Sequence, residues 1–127
     1  MIPTDRKYTE SHEWVQIDGD IATIGLTDYA QDMMGDIVYV EVPQVGETLE
    51  SGARLAVVES VKAASDVFSA VGGEVVEANE DLDGAPEQIN EAPWTTWIAR
   101  IRVTDNGAGL MDAAAYEALV AAEEAKK

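Results

Sequence analysis

One internal lysine stands between two apolar segments that each have the character of a strand. Residues 55–58 precede Lys62 and residues 66–68 follow it, so the lysine is predicted to lie at the bend of a hairpin. Its amine ends a long flexible stem, and acylation of that amine removes the charge. The arrangement fits a lysine that carries a prosthetic group on a hairpin tip.

The ordinary alternative is a solvated lysine in a turn. The neighbours argue against it, because Val61, Ala63 and Ala64 are small or apolar where turns usually recruit glycine, asparagine or proline. Lys62 is also the only lysine in the body of the chain. The others lie near the ends: Lys7, Lys126 and Lys127.

The composition indicates one globular domain. The chain has 127 residues, of which 46% are apolar and 26% charged, so a single domain over residues 1–127 is expected. No apolar run approaches the ~20 residues that span a bilayer. The first residues lack the apolar core and cleavage site of a signal peptide. We therefore expect a cytoplasmic bacterial or archaeal protein, with a mature mitochondrial form as the alternative.

Charge and the rare residue types exclude several function classes. The 25 acidic and 8 basic residues give a net charge of −17, which repels nucleic acid and anionic membranes. An acidic surface suits partners with basic docking faces, although solubility or a salt-rich cytoplasm explains it equally well. With no cysteine and one histidine, His12, we expect no disulfide, no metal site and no histidine-based triad. His12 itself is expected to be structural.

Alternating apolar residues predict strands through most of the chain. A hairpin is predicted over residues 13–25 around the Asp18-Gly19 turn, followed by a helix over residues 28–34 that Thr27 caps and Gly35 ends. Further strands are predicted over residues 36–42 and 96–103. On the second of these, one half-buried face is expected to hold Trp97, Ala99, Ile101 and Val103.

The remaining segments are predicted to be loops and helices. Residues 81–85 are expected to form a loop, residues 86–90 a helical turn with Pro86 first, and residues 106–109 a flexible break. Asp112 is expected to cap a C-terminal helix. Its apolar stripe is predicted to contain Met111, Ala115, Leu119 and Ala122.

A weak internal repeat supports an all-β architecture. Residues 46–52 resemble residues 73–79, and Lys62 lies between the two copies. We expect two similar strand–turn–strand units packed face to face, with the lysine hairpin at one end. Together with the other segments this gives seven or eight short strands. An all-β dominated sandwich or partly closed barrel with short peripheral helices and a C-terminal helix is predicted.

Five motifs follow one another along the chain: Ser-His-Glu-Trp-Val at 11–15, Ile-Gly-Leu-Thr-Asp-Tyr-Ala-Gln at 24–31, Gly-Asp-Ile-Val-Tyr-Val at 35–40, Glu-Ser-Val-Lys-Ala at 59–63 and Gly-Glu-Val-Val-Glu at 73–77. In this order they resemble one known family, the H proteins of the glycine cleavage system, which are lipoyl carriers. The resemblance implies a barrel-sandwich hybrid of the lipoyl/biotinyl-carrier type. It also implies that the chain is a single lipoyl-carrier domain with lipoate joined to Lys62 by an amide.

The resemblance also implies the reaction cycle and the partners. Glycine decarboxylase (P protein) loads an aminomethyl group, aminomethyltransferase (T protein) removes it, and dihydrolipoamide dehydrogenase (L protein) reoxidises the reduced arm. A lipoate-attaching enzyme installs the group, and the carrier itself is not an enzyme. The alternatives are an H-like protein that relays lipoyl groups to other complexes, or a biotin carrier. A biotin hairpin usually places methionine on both sides of the lysine, where this chain has Val61 and Ala63.

Four more site residues follow from the resemblance. Ser11 and Glu13 match the strand that lines the docking cleft, and Asp66 follows Lys62 on the return strand. A carboxylate there would bind the protonated amine of the aminomethyl cargo. Glu59 is expected to help the lipoate-attaching enzyme recognise the hairpin. For each of the four, the ordinary alternative is a solvated polar residue on a strand or hairpin.

Overall fold

Short antiparallel strands make up most of the fold. The computed structural model describes residues 2–107 and 109–125. Its strands are β1 (Lys7–Tyr8), β2 (Glu13–Asp18), β3 (Ile21–Leu26), β4 (Ile37–Glu41), β5 (Thr48–Leu49), β6 (Arg54–Ser60), β7 (Ala64–Phe68), β8 (Gly72–Ala78) and β9 (Trp97–Asp105). Its helices are α1 (Asp28–Met34), α2 (Asp81–Gly84), α3 (Gln88–Glu91) and α4 (Ala113–Glu124). None of these helices is long and apolar enough to cross a membrane.

The strands form two sheets that share one core. The larger sheet has the order β1-β2-β3-β9-β8-β5, and the smaller sheet has the order β4-β6-β7. Fully buried side chains from both sheets meet in the core, among them Val15, Ile24, Val58, Val75 and Ile101. Each such side chain stabilises the fold by about 1.5–3 kcal/mol relative to an exposed position. The predicted all-β character with peripheral helices is confirmed.

The predicted N-terminal hairpin and its following helix are present. β2 and β3 pair around Gly19, whose φ of +63° suits a tight turn. The hydroxyl of Thr27 accepts a hydrogen bond from the Ala30 amide at 3.1 Å and so caps α1. Gly35 ends the same helix with a φ of +77°. These local signals were sufficient because each depends on residues that are adjacent in the sequence.

The internal repeat is arranged differently from the prediction. Its two copies do not stack face to face but pair edge to edge, since β5 is hydrogen-bonded to β8 with Thr48 opposite Glu74 and Leu49 opposite Gly73. Two further backbone bonds, from the Gly46 amide to the Val75 carbonyl and from the Val75 amide to the Glu47 carbonyl, extend this pairing. The similarity therefore reflects two strands that meet around a local pseudo-twofold axis.

Three local predictions were wrong or incomplete. Residues 81–85 contain the short helix α2 rather than a loop, and the side chain of Leu82 in this helix is buried. The helical turn expected at Pro86 begins at Gln88 as α3. On β9, Ile98 is fully buried together with Ala99, because the register shifts here: Ile24 faces Ala99 while Gly25 faces Trp97. Ile98 is the extra residue in this bulge, and it points into the core.

Three residues mentioned above lie outside the described residues. They are Ala108, which belongs to the predicted flexible break at residues 106–109, and the terminal lysines Lys126 and Lys127.

The C-terminal helix packs through a tyrosine that the sequence pattern did not select. Asp112 caps α4 as predicted, accepting from the Ala115 amide at 2.8 Å. Ala115 and Ala122 of the predicted stripe are exposed, whereas Tyr116 is buried and Leu119 is partly buried. The ring of Tyr116 stacks on Tyr8 at 4.7 Å. Because alanine contributes little area, the one large aromatic side chain decides which face packs inward.

The Tyr116 hydroxyl ties α4 to the sheet, and its removal is expected to destabilise the protein. It lies 2.7 Å from the Thr27 hydroxyl and 2.9 Å from Nδ1 of His12, all of them buried. Tyr116→Phe should lower the free energy of unfolding by about 1–3 kcal/mol, the cost of leaving buried polar groups without a partner. Urea unfolding measures this. Tyr39→Phe, at an exposed position, is the matched control; equal effects of the two changes would contradict the assigned role.

Candidate functional site

The candidate carrier lysine lies at the tip of a short hairpin. β6 and β7 are joined by Val61, Lys62 and Ala63. The Ser60 hydroxyl accepts from the Lys62 amide at 3.1 Å and from the Ala63 amide at 3.2 Å, and the Ser60 amide donates to the Ala63 carbonyl at 2.8 Å. A serine thus supplies the side-chain bonds that hold the turn, which explains how it forms without glycine, asparagine or proline.

The Lys62 side chain is exposed and its amine is available. No ion pair joins it to a carboxylate in the described part of the chain. Val61 beside it is 66% exposed, which is unusual for a valine. A free primary amine next to an exposed apolar side chain, on a tip that projects from a packed domain, can be reached by a modifying enzyme.

A buried carboxylate marks the second half of the site. Glu13 is only 1% exposed. Its Oε1 accepts from the hydroxyls of Thr9 and Ser11, each at 2.6 Å, and its Oε2 lies 3.4 Å from the Phe68 amide of β7. The Ser11–Glu13 pair that the resemblance implied is therefore in direct contact. Glu13 connects the larger sheet to the hairpin that carries Lys62.

Burial is the dominant influence on this carboxyl group. Removal from water raises the pKa of Glu13 above the ordinary value of 4.5, while the bonds from Ser11, Thr9 and Phe68 act in the opposite direction. A cation close to Glu13 would stabilise the ionised carboxylate, because an opposite charge favours the charged form of an acid.

Glu13 lies at the wall of an open cleft of about 470 Å³. Phe68, Leu110 and Met111 give the cleft an apolar side, and Glu10 and Glu13 are the charged residues that line it. No lysine or arginine is among the described residues of the lining. The cleft is therefore suited to a slender apolar group that ends in a positive charge.

The structure places Asp66 and Glu59 outside this cleft. Asp66 lies on β7, half-exposed, with its carboxylate 3.9 Å from Nη1 of Arg54. Because strand residues alternate in direction, Asp66 projects from the same face of β7 as Phe68, between the tip and the cleft. Glu59 is exposed on β6, opposite Tyr39 on one side and Ala64 on the other. It is close to Lys62 and does not contact Glu13.

Two groups of the site were missed from the sequence. Thr9 both donates to the Glu13 carboxylate and accepts from the Glu13 amide at 3.1 Å, and Phe68 contributes its backbone amide. The spacing of Thr9, Ser11 and Glu13, two residues apart, was a usable signal for the first. No sequence signal identifies a backbone amide that is donated by a distant strand.

His12 and Trp14 make structural contacts. His12 lies at a φ of +71°, with Nδ1 2.9 Å from Tyr116 and Nε2 3.0 Å from the nearer carboxylate oxygen of Glu123. It holds α4 and does not line the cleft. The Trp14 indole donates to the Pro93 carbonyl at 2.9 Å and covers Gly25, where a Cβ atom would lie 2.5 Å from the ring. No cluster of three or more candidate metal ligands occurs within residues 2–107 and 109–125.

An exposed lysine on the hairpin tip of a two-sheet β domain is the arrangement of one class of protein, the carriers of a covalently attached prosthetic group. Comparison with known proteins identifies the family. The family model described as glycine cleavage H-protein matches residues 6–123. A glycine cleavage system H protein of Marinobacter nauticus is 53% identical over 127 residues, covering 97% of this chain and 98% of the relative. One of Phenylobacterium zucineum is 57% identical over 118 residues, covering 91% and 98%.

A solved structure agrees with the fold. The crystal structure of a glycine cleavage system H protein from Mycobacterium marinum superposes with a TM-score of 0.89 at 34% identity, covering 94% of this chain and 99% of that one. The chain belongs to the glycine cleavage H-protein family. It has the barrel-sandwich fold and serves as a lipoyl carrier of glycine cleavage, a carrier subunit rather than an enzyme. The alternative readings as a biotin carrier or as a relay to other complexes are not favoured.

The raised pKa of Glu13 predicts how stability depends on pH. In the window above 4.5, the folded protein holds a proton on Glu13 that the unfolded chain has lost, so stability falls as pH rises through this window. Glu13→Gln lacks this titration. The stability of the parent minus that of the variant should therefore decrease from pH 4 upward, by about 1.4 kcal/mol for each unit by which the pKa is raised.

The measurement is urea unfolding of both proteins across that pH range. Groups common to both proteins cancel in the difference. A difference that stays constant or increases with pH would contradict the burial of an ionisable carboxyl group at this position.

Proposed function

We propose that Lys62 carries the lipoate of this family member, as an amide on Nζ, within a single carrier domain. The observation that carries the proposal is the position of Lys62: it is the only lysine between Lys7 and Lys126, and it lies exposed on a hairpin tip. When bound, lipoate would supply a reactive disulfide that takes up the aminomethyl cargo, and the L protein, as oxidant, would regenerate that disulfide. The protein's own residues present this group and protect what it carries.

The cleft beside Glu13 is the proposed docking site for the loaded end of the arm. β7 leads from Lys62 to Phe68 over six residues, which is roughly 20 Å for an extended strand. In the cleft, the apolar part of the arm would be held by three side chains, Phe68, Leu110 and Met111. There the protonated amine of the cargo would meet the Glu13 carboxylate, which Thr9 and Ser11 already orient.

The role of each residue follows from its surroundings. Glu13 holds the cation, and Asp66 supplies a second carboxylate outside the cleft wall. Ser11 donates to the Glu13 carboxylate and offers its hydroxyl for a further hydrogen bond. An unloaded arm has no cation, so its attraction to Glu13 is weaker. Docking would therefore depend on cargo, and the cargo would be kept from water until the next enzyme extracts it.

The proposed partners are those of the family's cycle. The P, T and L proteins would each have to contact the hairpin, as would the lipoate-attaching enzyme, for which Glu59 is the proposed recognition residue. The hairpin carries the exposed acidic residues Glu59 and Asp66, and the whole chain carries −17, so basic docking faces would be complementary. Nucleic acid and membrane partners are not expected, and the proposed location is the cytoplasm.

The attachment site is tested by substitution. Lys62→Arg keeps the positive charge and the long stem but offers no primary amine, so a variant incubated with a lipoate-attaching enzyme should gain no lipoyl mass. Lys7→Arg is the matched control and should gain it as fully as the parent does. Intact-mass spectrometry reads both. A lipoyl mass on the Lys62→Arg variant would refute the proposed site.

The docking role is tested by the lifetime of the loaded carrier. A charge-assisted hydrogen bond is worth about 1.5–3 kcal/mol, so Glu13→Gln should speed spontaneous loss of the cargo, as ammonia and formaldehyde, by roughly tenfold or more. Glu10→Gln, on the rim of the same cleft, is the control and should retain the parent rate. Release is followed by ammonia formation after loading. Equal lifetimes for the parent and Glu13→Gln would show that this carboxylate does not protect the cargo.

A further inference from the structure

The Lys62 stem lies against a glycine of a neighbouring segment. A Cβ atom added to Gly35 would stand 3.2 Å from Cε of Lys62, 3.7 Å from its Nζ and 3.8 Å from its Cδ. Gly35 has a φ of +77° and a ψ of −158°, a region that is essentially confined to glycine. The backbone conformation and the missing side chain together leave the space that the end of the lysine occupies.

The segment that contacts the lysine is held in place by one side chain. Asn90 of α3 donates from Nδ2 to the Gly35 carbonyl and to Oε1 of Gln31, and its Oδ1 accepts from the Ile37 amide; all three distances are 2.9 Å. Because the Ile37 amide requires an acceptor and the Gly35 carbonyl requires a donor, only one orientation of the Asn90 amide satisfies both. The segment is therefore fixed by a side chain of α3.

The same segment is hydrogen-bonded to the hairpin tip. The Val61 amide donates to the Asp36 carbonyl at 3.0 Å, and Ile37 pairs with Ser60 in the β4–β6 ladder. Residues 35–37, which we call the Lys62 shelf, thus contact both the backbone of the tip and the side chain of its lysine. The Lys62 side chain has four rotatable bonds, and its end lies against this shelf.

We propose that the Lys62 shelf, held by Asn90, positions the lysine amine for acylation by the lipoate-attaching enzyme. The inference rests on the proposed attachment of lipoate to Lys62 and adds the residues that prepare that site. An acyl transfer requires the amine at a defined distance and angle from the activated carbonyl, and small displacements cost large factors in rate. Gly35 and Asn90 act as positioning residues, because neither touches the reacting atoms.

The shelf predicts a specific effect of filling it. Gly35→Ala places a methyl group where the lysine end lies and displaces it, so kcat for lipoylation should fall by about tenfold with little change in KM. Gly46→Ala is the matched control: it also has a positive φ, +96°, but an added Cβ there meets nothing within 4 Å. Both variants bear backbone strain. Equal lipoylation rates for the two would overturn the proposal.

The three hydrogen bonds of Asn90 to Gln31, Gly35 and Ile37, which we call the Asn90 clamp, are tested by a change of one atom. Asn90→Asp keeps the acceptor for Ile37 but replaces the donor to Gly35 with an oxygen, so it should lower kcat for lipoylation in the same way. Asn79→Asp is the control, since Asn79 also donates to a backbone carbonyl, Trp97 at 2.8 Å, and accepts from a backbone amide, Asp81 at 3.3 Å. If both variants lose the same stability and the same activity, Asn90 is merely structural and the proposal fails.

A measurement without lipoylation separates this inference from the proposed function. In the unmodified protein, NMR should detect a nuclear Overhauser effect between the Gly35 α-protons and the Lys62 ε-protons, and Asn90→Asp should weaken it while Asn79→Asp leaves it intact. Absence of this effect in the parent would refute the shelf even if Lys62 is lipoylated. Conversely, a parent chain that gains no lipoyl mass at Lys62 would refute the proposed function, whatever the NMR result.

Discussion

The antiparallel pairing of β6 with β7 is the constraint on which the site depends. It places Lys62 at one end of β7 and the Phe68 amide, which faces Glu13, near the other. β7 is an edge strand of the smaller sheet, and exposed edges usually invite pairing with another chain. Here the edge is short, and acidic Asp66 is exposed on it. One hairpin therefore fixes both the origin of the arm and its distance from the cleft.

Burial of the Glu13 carboxylate destabilises the folded protein. A charged group withdrawn from water is destabilising unless donors surround it, and Thr9, Ser11 and Phe68 offset only part of that cost, as the raised pKa indicates. The neighbouring His12 supports the segment by its contacts with Tyr116 and Glu123 of α4. The C-terminal helix thus stabilises the segment that holds Glu13, although none of the residues of α4 lines the cleft.

Local features of the fold could be predicted from the sequence, and long-range pairings could not. The Thr27 cap, the Gly35 helix end and the Lys62 hairpin each depend on adjacent residues, and they are confirmed. The pairing of β5 with β8 and the inward turn of Ile98 depend on which strands become neighbours, which no local pattern specifies. The α4 stripe was misjudged because alanines carry little signal, while a single tyrosine dominates the packing.

The site shows the same division. Lys62 and the Ser11–Glu13 pair follow from motifs, but the Phe68 amide, the Thr9 hydroxyl and the Asn90 clamp are brought in by tertiary structure. Gly35 was interpreted only as a helix end, and its contact with the lysine required the relative placement of α1 and the hairpin. Gly35 can end the helix and can leave room for the end of Lys62 for the same reason, because it has no side chain.

A tryptic map of the native protein tests directly whether Lys62 carries the lipoyl group. Between Arg54 and Arg100 the only basic cleavage site is Lys62, and trypsin does not cleave after an acylated lysine. Lipoylation of Lys62 predicts a single peptide of residues 55–100 that carries one lipoyl group. Recovery of separate peptides of residues 55–62 and 63–100 from fully active carrier, with the lipoyl mass elsewhere in the chain, would contradict it.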